Sequence, residues 1–214
     1  MLEQTTVVPG SKGEKKLQKE FKTTADAMKF YNNQMLTSMA PLMQNFINQQ
    51  EMMFVSTADS HGDCDCTLRT GDKGFVIVLD ERYLLYPEYK GNGVMASMGN
   101  ITENPNIALL FVDFFDRKIG LHVNGKATII KKEDVVQYLE WFKKEIDIMI
   151  SEKDRFKIVS YILVEVEEAY MHCSMHIPLL RKIDPKRTFK KFPKDGKGGD
   201  AFGVANMPRA WEKK

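Results

Sequence analysis

Cysteine is scarce in this chain: Cys64, Cys66 and Cys173 are the three among 214 residues. An odd count without framework spacing excludes a disulfide-stapled fold and points to free thiols in a reducing compartment. Also missing is any apolar run near the roughly 20 residues that span a bilayer. The N-terminus, Met1 to Lys19, is polar and charged and has no apolar segment of the signal-peptide kind. The expectation is a cytoplasmic protein with no membrane partner. A dominant charge is lacking as well, since 31 Lys and Arg offset 29 Asp and Glu. That balance argues against nucleic acid as the main partner, although the residues after Pro178 are visibly basic. What is present is ordinary for a globular protein, 43% hydrophobic and 28% charged, in a chain long enough for one domain with appendages.

Apolar residues from Thr23 to Gln50 recur at helical steps, with Pro41 breaking or restarting the helix. Met53–Ala58, a turn at Asp59–Asp63 and Cys64–Thr70 read as a β-hairpin. Gly74–Asp80 reads as a compact apolar strand and Tyr83–Pro87 as a short edge segment stopped by proline. Val94–Glu103 suits a short helix, Ile107–Phe115 a central strand, and Leu121–Ile129 a strand with one apolar face, which puts His122 and Asn124 on the same side. An amphipathic helix is predicted over Val135–Ile150 and a returning strand over Ser160–Glu168. Doubly wound sheets alternate strand and helix more regularly, so a mainly β, largely antiparallel barrel with peripheral helices is favoured. The chain divides into a polar arm (1–22), one domain (23–180), and a basic C-terminal tail or lid (181–214) with Phe189, Phe192, Phe202 and Trp211 as packing residues.

Chemistry concentrates between Arg69 and Asn100. Arg69-Thr70-Gly71-Asp72-Lys73-Gly74 is followed by Tyr89-Lys90-Gly91-Asn92-Gly93 and by Ser97-Met98-Gly99-Asn100. Arg supplies a planar donor fork, Lys a compact charge, and the glycines let backbone amides approach an anion. These are the needs of a phosphate-bearing cofactor. The glycines do not fit a dinucleotide fingerprint, and the Walker pattern is absent. Cys64-Asp65-Cys66 with His61 could form a metal corner, but the cysteines are closer than in structural zinc sites. A turn leading into a strand is the preferred reading, and no metal is expected.

Taken in order, Arg69, Gly74-Phe75-Val76, Lys90, Ser97–Asn100, Asn104-Pro105, Ile107–Phe111 and Leu121-His122-Val123-Asn124-Gly125 resemble the FMN-binding split-barrel proteins related to pyridoxamine 5′-phosphate oxidase. The likeness covers Met53 to Ile130 and extends more loosely to Pro178 through the motif Ala169–Pro178. It implies a six-stranded antiparallel split β-barrel, α+β by class, and a homodimer with FMN at the interface. By the same resemblance Arg69, Thr70, Lys90, Asn92, Ser97 and Asn100 would hold the phosphate and ribityl chain. Leu79 and Asp80 would meet the isoalloxazine ring by their backbone. His122 and Asn124 would approach the flavin from the second subunit, near His172 and Cys173.

Pyridoxamine phosphate oxidases carry a C-terminal motif of tryptophan, arginine and histidine that holds the substrate phosphate. This chain lacks it, and Trp211 sits in another context. The resemblance therefore implies an uncharacterised branch that keeps the flavin and has lost that substrate site. The expected function is an FMN-dependent oxidoreductase acting on an unidentified small molecule, with His122 or His172 as the catalytic proton donor. The alternative is a non-catalytic flavin- or haem-binding protein, because no acid–base constellation stands out.

Overall fold

The computed structural model describes residues 8–138, 158–183, 204, 207–209 and 211. Residues 1–179 and 180–214 form two units, and the first carries the fold. The predicted lid aromatics Phe189, Phe192 and Phe202 lie outside the described residues, as does most of the helix expected over Val135–Ile150.

An N-terminal helix, α1 (Lys12–Glu20), starts at a capping box in which Ser11 and Glu14 satisfy each other's backbone N–H groups. The sequence reading had only a polar arm there, although the Ser-x-x-Glu spacing was visible. α2 (Thr24–Gln34) follows, then the two-residue strand β1 (Met35–Leu36), then α3 (Pro41–Asn48). Pro41 occupies the first helical turn of α3, where its missing N–H has no intrahelical role. It restarts the helix, as expected.

The remaining elements are β2 (Met52–Ala58), β3 (Cys64–Thr70), β4 (Ile77–Val78), β5 (Tyr83–Tyr89), α4 (Ala96–Glu103), β6 (Asn106–Asp113), β7 (Ile119–Lys131), α5 (Val135–Tyr138) and β8 (Ile158–His172). All pairings are antiparallel. The sheet runs β3-β2-β6-β7-β8-β5-β4, and β1 adds to β8. Eight strands stand where six were expected because β1 and β4, two residues each, join six long ones. The fold is the mainly antiparallel split barrel.

Alternation along the strands sets the core. In β2, Met53, Val55 and Thr57 point inward, and in β6 Ile107, Leu109 and Phe111 do the same. They meet Leu121 and Val123 of β7 and Val164, Val166 and Ala169 of β8 in one apolar cluster. A smaller cluster of Ile77, Leu85, Ile130, Val135, Ile158 and Tyr161 fills the opposite side of the sheet.

Two strand boundaries differ from expectation. The residues before β4 form a turn, with the Phe75 N–H donating to the Asp72 carbonyl and Gly74 at φ 86°. β5 does not stop at Pro87 but continues to Tyr89. β4 pairs only with Leu84 and Leu85, so beyond them β5 is a free edge on that side, where proline is tolerated. That extension places Glu88 inside the barrel mouth.

β7 and β8 shift register between Asn124 and Gly125. A Cβ at Gly125 would run into the Glu165 carbonyl oxygen, a backbone atom that cannot rotate away. Gly125→Ala is therefore expected to cost about 3 kcal/mol or more, read as a fall in the urea midpoint. A midpoint within error of the parent would show that the β7–β8 register is wrong.

Candidate functional site

A cleft of about 770 Å³ opens between β3, the end of β5, the loop 90–95 and the first turn of α4. This is the size of a small-molecule site. Asp65, Thr67 and Arg69 alternate inward along β3, while Cys64, Cys66 and Leu68 point outward. Glu88 follows Leu84 and Tyr86 on the inward-facing side of β5.

Arg69 and Glu88 meet across the mouth. Nε and Nη2 of Arg69 donate to one Glu88 oxygen at 3.0 and 2.7 Å, and Nη1 donates to Thr67 Oγ1 at 2.8 Å. The Glu88 side chain is 4% exposed and that of Arg69 21%. Nη1 also donates to the Leu68 carbonyl at 3.5 Å, so of the five guanidinium N–H groups one, on Nη2, is left for a ligand. Beneath the pair lies Tyr86, wholly buried. Burial first, and the Glu88 charge second, push its phenol far above the ordinary range, so it stays neutral.

Helix α4 brings the other half. Its N-cap position is Met95, held left-handed at φ 59° with no side-chain cap. This conformation costs a non-glycine residue on the order of 1 kcal/mol. The first-turn N–H groups of a helix have no intrahelical partner and carry its positive dipole end, and here Ala96, Ser97 and Met98 line the cleft. The Lys90 ammonium makes no hydrogen bond or ion pair among the described residues, while its carbonyl accepts from the Gly93 N–H at 2.9 Å. Asn92 accepts from the Val94 N–H through Oδ1, which leaves its amide N–H groups to the cleft.

The structure thus brings together Arg69, Thr70, Lys90, Asn92 and Ser97. Ser97 Oγ donates to Asp65 Oδ2 at 3.1 Å, and Asn100 Nδ2 donates to Thr57 Oγ1 at 3.1 Å. Asn100 therefore ties α4 to β2 and does not line the cleft. Leu79 and Asp80 are also outside it: both donate backbone N–H groups to the Tyr83 carbonyl, and Asp80 Oδ1 closes the turn by accepting from Arg82 and Tyr83. Sequence reasoning missed Glu88 and Asp65. A carboxylate at an inward position of an otherwise apolar strand was the available signal for Glu88.

His122, Asn124 and His172 lie elsewhere, on the outer face of the sheet. His122 Nε2 and His172 Nδ1 are 2.9 Å apart, and the His122 ring stacks on Tyr170 at 4.7 Å between centroids. Asn124 Nδ2 donates to Glu168 Oε2 at 3.3 Å, while its Oδ1 is buried without a hydrogen bond among the described residues. Shallow depressions on this face are lined by Phe54, Ser56, Cys66, Leu110 and His122, and by Asn124 and Glu168. Cys173 is exposed just beyond β8. Asp65 lines both the cleft and the outer face, so β3 is the wall between them.

The model of the pyridoxamine 5′-phosphate oxidase family matches residues 39–173. No curated protein matches the sequence. Among solved structures, HupZ of Group A Streptococcus is 22% identical with a TM-score of 0.45, covering 62% of this chain and 93% of that one. The heme storage protein HutZ of Vibrio cholerae is 13% identical with a TM-score of 0.40, covering 62% and 93%. General Stress Protein 26 of Bacillus anthracis is 13% identical with a TM-score of 0.39, covering 59% and 88%.

Removing one member of a buried ion pair strands the other. Arg69→Ala is expected to lower stability by about 3 kcal/mol, with the double variant Arg69→Met/Glu88→Leu recovering most of it. Urea denaturation of the three proteins checks this, and equal losses in single and double variants would contradict it.

The histidine pair sets a pH dependence. Burial, and then the neighbouring His172, hold His122 below the ordinary imidazole range. The unfolded chain therefore takes up a proton before the folded one does. Stability is full above the unfolded pKa of about 6.5 and declines as pH falls below it toward the depressed folded value. A thermal midpoint that falls with acidification in the parent should fall less in His122→Asn.

Proposed function

The chain belongs to the pyridoxamine 5′-phosphate oxidase family, and on that premise we propose that it binds FMN with its phosphate in the cleft and acts as an FMN-dependent oxidoreductase on a small molecule. The observation that carries the reading is the uncapped first turn of α4, opening into the cleft beside Lys90 and Arg69. Glu88 cancels most of the Arg69 charge. Lys90, the remaining Arg69 N–H group, the α4 amides and the Thr70 and Asn92 side chains then form a donor set suited to a phosphate. Gly91 and Gly93, at φ 52° and 85°, give the loop the left-handed turns by which it folds around that set.

Bound there, FMN supplies a ring that accepts and returns a hydride or electrons. The chain positions it. Arg69 and Lys90 hold the phosphate end, Ser97, kept in place by Asp65, orients the first turn of α4, and Phe75 and Met98 add apolar wall. His122 and His172 are the groups able to hold or pass a proton. They face away from the cleft of their own chain, and a second copy packed on the outer sheet face would bring them to its flavin. This homodimer would also cover Phe54, Leu68 and Leu110 and give Asn124 Oδ1 access to a donor. Three exposed free thiols suit a reducing cytoplasm.

Titration with FMN and with riboflavin tests the reading through Lys90, whose ammonium has no hydrogen bond or ion pair among the described residues. Lys90→Met should weaken FMN binding about 10- to 100-fold, the size of a lost charge-assisted hydrogen bond, and leave riboflavin binding nearly unchanged. Equal effects on both would place the phosphate elsewhere. Reduction of the bound flavin by NADH or NADPH at turnover rates separates an oxidoreductase from a protein that only holds flavin. A haem Soret band with no saturable FMN binding would overturn the flavin assignment altogether.

A further inference from the structure

The β2–β3 hairpin holds a second cluster, remote from the cleft lining. Asp59 directly follows β2, His61 sits in the turn, and Glu103 is the last residue of α4. One ligand atom of each lies within 4.8 Å of the others. We propose that Asp59, His61 and Glu103 bind a divalent transition-metal ion that pins the C-terminal end of α4 to the hairpin.

Each carboxylate is held by one oxygen and free at the other. Asp59 Oδ1 accepts from the His61 and Asp63 N–H groups at 2.8 and 2.9 Å, and Glu103 Oε2 accepts from the Ser60 N–H and hydroxyl at 3.2 and 2.8 Å. Asp59 Oδ2 and Glu103 Oε1 have no partner among the described residues. This is how outer hydrogen bonds aim carboxylates at an ion. Neither carboxylate forms a salt bridge among the described residues, and both lie beside the His61 imidazole. Donors around one ion at about 2.1 Å sit roughly 3–4 Å from each other, and small rotations of the exposed His61 and Glu103 side chains close the set. One imidazole and two carboxylates, with water completing the shell, suit a first-row ion such as Zn²⁺ better than Mg²⁺.

The cysteines are not part of it. Cys64 Sγ donates to the Gly62 carbonyl and Cys66 points to the outer sheet face. Asn104 Nδ2 already reaches the Asp59 carbonyl at 3.4 Å, so an ion here tightens an existing junction. Its binding is independent of the flavin reading.

The full-length chain, stripped with chelator, is titrated with Zn²⁺ against a chromophoric chelator, with Mg²⁺ as control. One Zn²⁺ per chain is expected, together with a rise in thermal midpoint on loading. His61→Ala and Glu103→Gln should each weaken Zn²⁺ binding at least about tenfold, and Cys64→Ser/Cys66→Ser should leave it unchanged. The amide of Glu103→Gln can still accept from Ser60, so its midpoint in chelator should match the parent and separate ligand loss from misfolding. Co²⁺ loading should give a visible spectrum without a thiolate charge-transfer band. Zn²⁺ affinity unaffected by the His61 and Glu103 variants, affinity lost with the cysteines, a thiolate band, or no Zn²⁺ binding at micromolar concentration would each overturn the proposal.

Discussion

The ion pair between Arg69 and Glu88 is the constraint on which the rest of the site depends. β3 is one end of the hydrogen-bonded sheet, and β5 lies next to the other. No backbone ladder joins them, so their separation is set by side chains. A guanidinium held by two N–H groups on a nearly buried carboxylate fixes that separation and direction together. Burying Glu88 is tolerable only with its partner in place, and so the width of the cleft mouth is coupled to the stability of the barrel.

The pair also decides how the cleft can recognise an anion. An arginine already matched by a carboxylate offers a directed N–H group but little net charge. The electrostatic pull falls to Lys90 and to the first turn of α4. That helix is docked at several points along its length: Ser97 to Asp65, Asn100 to Thr57, and Asn104 to the Asp59 carbonyl. A helix tied this firmly to β2 and β3 can leave its N-terminus uncapped and its Met95 left-handed, because neighbouring contacts offset the local cost.

Much of the sheet was legible because period-two alternation survives wherever one strand face is buried. Leu121–Ile129 was read from that signal, and the Met53–Thr70 hairpin from its strand residues and the turn residues Asp59–Asp63 between them. The misses have physical reasons. Pro87 was read as a stop because a sequence does not show that its strand has lost a neighbour. Glu88 was passed over because its partner lies 19 residues away and no spacing rule links β3 to β5. Met35 and Leu36 join β8 through Tyr170 and Ala169, a pairing across most of the chain. Met1–Lys19 was read only for composition, and the capping box at Ser11 went unused.

Within the candidate residues, strand periodicity alone does not separate two faces; the family resemblance did so only by implying a second subunit. Arg69 and Lys90 belong to a cleft at the mouth of the barrel, while His122, Asn124 and His172 belong to the outer surface of the same sheet. A strand presents alternate residues to opposite sides, and the sequence does not show which side of β7 and β8 faces the cleft. Asp65 faces inward on β3 yet borders both surfaces, because β3 is an edge strand with a neighbour on one side only. A ligand in the cleft therefore lies one strand thickness from the outer face and meets it only around that edge. Chemistry that needs both the cleft donors and the histidines cannot be completed within one barrel without crossing β3.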